Sequence, residues 1–70
     1  MKLQINGEAR DFADPPTPFT LAALVELLGM KADRVAIELN GEIVPRDNWA
    51  ETGLKEGERL EVVHFVGGGL

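Results

Sequence analysis

The chain has 70 residues and makes one small domain, with no length for a second. Seven Lys and Arg against twelve Asp and Glu leave a formal charge of −5, which argues against nucleic acid and anionic membrane surfaces and permits a basic protein partner. There is no cysteine, so disulfides, zinc thiolates and cysteine nucleophiles are excluded, and with no signal peptide the expected compartment is the cytoplasm.

Residues 2–6 alternate polar and apolar, predicting a half-buried strand with Leu3 and Ile5 inward. Asn6-Gly7 follows, a pair that tolerates positive φ and signals a hairpin. The returning strand is expected from Glu8 to about Ala13, weakly patterned and at an edge, with Ala9 or Phe12 touching the core. Pro15, Pro16 and Pro18 end it, because each removes a ladder donor, and they form a stiff connection. Thr20 is the expected N-cap of a helix over 21–28. Leu21, Leu24, Val25 and Leu28 fall on one stripe, and Gly29 stops the helix. The longest unbroken apolar runs reach only five residues, against roughly 20 needed to cross a bilayer.

Val35, Ile37 and Leu39 alternate along a third strand. Asn40-Gly41 is a second hairpin turn, and Glu42-Ile43-Val44 returns until Pro45 ends it. Residues 46–56 are predicted to be an irregular connection holding Trp49. Gly57 permits a tight turn into the longest strand candidate, 59–66. Leu60, Val62 and His64 share one face of it, and Glu61, Val63 and Phe65 the other. The order predicts an α+β fold of two layers, a mixed sheet of four to five strands crossed by one helix. The domain is expected over 1–66, followed by a flexible glycine-rich C-terminal tail over 67–70.

Chemistry concentrates in that tail. Three consecutive glycines bury no side chain and lose the most entropy on ordering, so they serve no packing purpose. They do let a backbone enter a narrow slot without a Cβ in the way. Four residues reach roughly 13 Å, enough to enter another protein's active site. A frayed end is the plain alternative. His64 is the lone histidine and builds neither a triad nor a metal site alone. There is no P-loop and no basic cluster to hold ATP.

The segment Leu39-Asn40-Gly41-Glu42-Ile43-Val44-Pro45-Arg46-Asp47-Asn48-Trp49 resembles the central signature of the ThiS family, the sulfur carriers of thiamine thiazole biosynthesis. Residues 60–69 resemble the C-terminus of the same family, and with the order of elements the likeness covers the whole chain. The Pro45-Arg46…Trp49 element favours the thiamine carriers over the molybdopterin carrier MoaD. The resemblance implies the ubiquitin-like β-grasp fold, with the first and last strands parallel at the sheet centre. It implies a protein co-substrate rather than an enzyme, with no catalytic residue, metal or cofactor of its own. Gly69 is then the acceptor, adenylated by a ThiF-like enzyme that uses ATP and magnesium. Sulfur from a donor protein displaces AMP to leave a thiocarboxylate, which a ThiG-like thiazole synthase consumes. Gly67 and Gly68 are the expected partner-binding residues of the tail, and the chain alone is expected to be a monomer. If Leu60 and Val62 face the helix, the strand's alternation also puts Val63 and Phe65 on the open sheet face as an apolar docking patch, the alternative being a reversed register or cover by a loop.

The family ends at glycine, whereas Leu70 follows Gly69 here. Leu70 is either trimmed by a protease, or foreign to the native chain, or a mark that the chain is no simple carrier. Carriers for cysteine, homocysteine or molybdopterin synthesis with C-terminal trimming are the runner-up reading. A ubiquitin-like modifier and an interaction module with an inert tail are further alternatives. Among the other residues, Trp49 is expected to anchor its loop to the core rather than bind a partner, His64 to be an ordinary sheet residue rather than assist proton transfer, and Arg46 to form a surface ion pair, with a hold on a partner carboxylate as the alternative. Glu51, Glu56, Glu58 and Glu61 make either a solvated face or a field that steers a basic partner.

Overall fold

In the computed structural model, residues 1–65 are described. Strands form where apolar residues alternate: β1 (Lys2–Ile5), β2 (Glu8–Asp11), β3 (Val35–Leu39), β4 (Glu42–Ile43) and β5 (Arg59–His64). The one stretch with a helical stripe makes α1 (Leu21–Leu27). Short 3-10 turns occupy Ala32–Arg34 and Arg46–Glu51. The five strands form one sheet in the order β2-β1-β5-β3-β4. β1 pairs parallel with β5 through Gln4↔Arg59 and Ile5↔Leu60, and every other pairing in the sheet is antiparallel. The first and last strands thus lie side by side, with β5 at the centre, and the α+β class expected from the sequence is the one observed.

Both hairpins turn at Asn-Gly. Asn6 and Asn40 each have φ 52°, and Gly7 and Gly41 have φ 82° and 88°, the mirror-image turn that matches the twist of the flanking strands. The core lies between one sheet face and α1. Leu3 and Ile5, Val35 and Ile37, and Leu60 and Val62 face Leu21, Leu24 and Val25. Burying a leucine in full contributes about 1.5–3 kcal/mol, and Leu21 and Leu24 are both fully covered. A seven-residue helix is unstable alone, so this burial is what holds it. Thr20 caps it as expected, its hydroxyl accepting from the Ala23 amide at 3.1 Å.

Several expectations shift. The helix ends one residue early, with Leu28 as its cap and only half-buried. All of β2 is exposed, Ala9 included, and it is Phe12 that reaches the core, edge-to-face with Phe19 at 5.5 Å. Residues 46–56 are not wholly irregular. A 3-10 turn spans Arg46–Glu51, too short and too tightly wound to leave the 3.6-residue pattern of a longer helix. Phe19 and Leu54 join the core unannounced, tied by the Leu54 amide donating to the Phe19 carbonyl at 2.8 Å. β5 stops at His64 rather than at residue 66, because β3 begins at Val35 and offers no strand beyond it. Among the described residues, no helix is long and apolar enough to cross a membrane.

Candidate functional site

Since α1 covers one face of the sheet, the other is open. Residues opposite one another in a ladder share a face, so the register assigns its members. Gln4 and Arg59, Ala36 and Val63, Glu38 and Glu61, and Glu38 and Ile43 are facing pairs on the open side. Three large apolar side chains are exposed here: Ile43 at 71%, Val63 at 53% and Phe65 at 51%. The Phe65 amide still donates to the Arg34 carbonyl at 2.7 Å, so one backbone bond beyond the end of the ladder holds the last described residue.

Val63 and Phe65 therefore present themselves on the open face, as their alternation with Leu60 and Val62 predicts. The third apolar member, Ile43, escaped the sequence reading. Its signal was available, because the two-residue turn at Asn40-Gly41 sets Ile43 opposite Glu38. Glu38 in turn faces Glu61, so two carboxylates of like charge stand directly across the ladder between the apolar side chains. Such a pair is destabilising in the free protein. Among the described residues, no cation lies within salt-bridge distance of either one.

The remaining candidates separate into structural and surface roles. Trp49 is 3% exposed, and its indole N–H donates to the Val44 carbonyl at 2.8 Å, which makes it the expected core anchor. His64 is exposed although it follows Leu60 and Val62 on the covered face. The ion pair expected of Arg46 is absent among the described residues. Its neighbour Asp47 does not face it, since adjacent side chains on a helical turn diverge. Glu56 and Glu58 are more than a solvated face. The Glu56 carboxylate accepts from the Lys2 amide at 3.0 Å, and Glu58 from the Lys55 amide at 2.7 Å, so both tie down the turn before β5. Asn6, read from the sequence only as a turn residue, reaches β5: its Oδ1 accepts from the Val62 amide at 2.7 Å, and its Nδ2 donates to the Val62 carbonyl at 3.0 Å. Gly67, Gly68 and Gly69, with the expected flexible tail over 67–70, lie outside the described residues.

The ThiS family model matches residues 3–69, which takes in the sheet, the helix and the glycine run. The sulfur carrier protein ThiS of Bacillus subtilis is 33% identical over 96% of this chain and 98% of its own length. A thiazole synthase of Paramagnetospirillum magneticum is 45% identical over 99% of this chain. The chain spans only 20% of that synthase's length. Among solved structures, the crystal structure of the thiamine biosynthesis protein (ThiS) from Geobacter metallireducens superposes with a TM-score of 0.81 at 33% identity. That likeness covers 99% of this chain and 100% of the other.

Proposed function

Because the chain belongs to the ThiS family and has its ubiquitin-like β-grasp fold, we propose that it is a sulfur carrier that works through the main-chain carboxyl of Gly69. The observation that carries this reading is the reach of the family match, which runs to residue 69 and so includes all three glycines. A carboxylate is ionised at neutral pH and its oxygen leaves poorly, so it must first be activated. A Gly69 carboxylate oxygen attacks the α-phosphate of ATP, pyrophosphate leaves, and a mixed anhydride with AMP results. The terminal sulfur of a persulfide on a donor protein then attacks the acyl carbon and AMP leaves; a thiol cleaves the sulfur–sulfur bond of the resulting acyl disulfide, forming a disulfide with the donor's own sulfur and leaving the thiocarboxylate. ATP and magnesium belong to a ThiF-like activating enzyme, and the chain is its co-substrate rather than a catalyst. The synthase region that is 45% identical to this chain supports a thiazole synthase as the recipient of the sulfur. The proposed setting is the cytoplasm.

Docking is assigned to the open sheet face. Ile43, Val63 and Phe65 supply apolar contact, and a partner cation placed between Glu38 and Glu61 would relieve their repulsion. Leu70 follows Gly69, so Gly69 becomes the acceptor only once its carboxyl is freed by a protease. The test is ATP–pyrophosphate exchange with a ThiF-like enzyme. The chain ending at Gly69 should support exchange and the chain ending at Leu70 should not, because one extra residue shifts the reacting carboxyl by about 3.5 Å. Equal rates for the two would remove Gly69 as the acceptor.

A further inference from the structure

The two Asn-Gly hairpins do not use their asparagines alike. At the first, β1 ends because the chain must turn: the Asn6 amide donates to the Leu60 carbonyl at 2.9 Å, and then φ of 52° takes the backbone away from β5. The ladder nevertheless continues by one step. The Asn6 carboxamide has the donor and acceptor of a peptide group, and it contacts both the N–H and the C=O of Val62, at 2.7 and 3.0 Å. A side chain thereby replaces the strand that β1 lacks. At the second hairpin, the Asn40 Oδ1 accepts from the Arg59 amide at 3.0 Å, at the other end of β5. Asn40 therefore holds the start of the strand, and Asn6 holds the half that leads into the glycines.

We infer that Asn6 is a positioning residue for the tail, fixing the direction in which β5 delivers residues 67–69 to a partner. Past Val62, β5 is paired only with β3, through Ala36↔Val63 and Val35↔His64. The two bonds from Asn6 supply the second flank at the last point where one exists, and both are shielded from water, at least in part. A strand held on both sides cannot swing within the sheet plane, and a carboxyl presented in a narrow slot is sensitive to such a swing. The role rests on the carrier reading, whereas the clamp itself does not.

The test compares Asn6→Gly with Asn40→Gly in the chain ending at Gly69. Glycine keeps positive φ accessible in both turns and removes only the carboxamide. Hydrogen exchange read by NMR checks the clamp. The Val62 amide should exchange at least tenfold faster in Asn6→Gly, beyond any change in global stability, and as in wild type in Asn40→Gly. Adenylation kinetics with a ThiF-like enzyme check the role. Asn6→Gly should lose about tenfold or more in kcat with KM within twofold, since docking through Ile43, Val63 and Phe65 is untouched while the reacting group is displaced. Asn40→Gly should keep both constants. Unchanged Val62 exchange overturns the clamp. Wild-type kcat in Asn6→Gly, or an equal loss in Asn40→Gly, overturns the positioning role alone. No adenylation of the wild-type chain overturns the carrier reading itself.

Discussion

Trp49 shows how one side chain can organise a segment that has little else to hold it. Its ring is buried against the core beside α1, and its indole N–H satisfies the Val44 carbonyl. Trp49→Phe would keep an aromatic ring but leave that carbonyl without a donor and a gap where the larger ring lay. The expected cost is about 1–3 kcal/mol, read as a lower midpoint in urea unfolding with an unchanged slope. A loss of less than a few tenths would show that the bond holds nothing. Single residues were unevenly legible in the sequence. The cap at Thr20 and the burial of Trp49 follow from residue type, because a hydroxyl before an apolar stripe and a lone indole each have few good places to go. The long-range bonds of Asn6 to Val62 and of Glu56 to Lys2 join residues more than fifty positions apart, and no local pattern announces them.

At the scale of the element, the open face of the sheet carries two separable contributions. Phe65→Asp puts a charge into the apolar contact and should weaken binding to a ThiF-like enzyme by more than about 1 kcal/mol in a titration, in a chain shown to be folded. Glu38→Gln removes one of the two opposed carboxylates and should raise stability by about 0.2–1 kcal/mol while also weakening binding. Unchanged affinity in both variants would place docking elsewhere. Strands and helix were legible because alternation and the helical stripe are properties of neighbouring residues. The 3-10 turn at Arg46–Glu51 was not, since its three-residue repeat over six positions leaves no apolar stripe. Ile43 was overlooked because its face depends on the register of a hairpin whose β4 is only two residues long.

The whole molecule is a small core built around β5, which touches β1 on one side and β3 on the other. That topology was not legible from periodicity. Alternation says which residues face inward and nothing about which strands are neighbours, so the parallel pairing of β1 with β5 came from the likeness of two motifs to a known family. Its consequence is that the glycine run follows the central strand of the sheet. Whether the Gly69 carboxyl carries sulfur is decided by mass spectrometry. The chain ending at Gly69 is incubated with a ThiF-like enzyme, ATP, magnesium and a sulfur donor, and the intact mass and the C-terminal peptide are measured. The expected result is a gain equal to the difference between sulfur and oxygen, located on Gly69. An unchanged mass while the enzyme converts a known carrier, or an amide bond from Gly69 to a lysine, would contradict it.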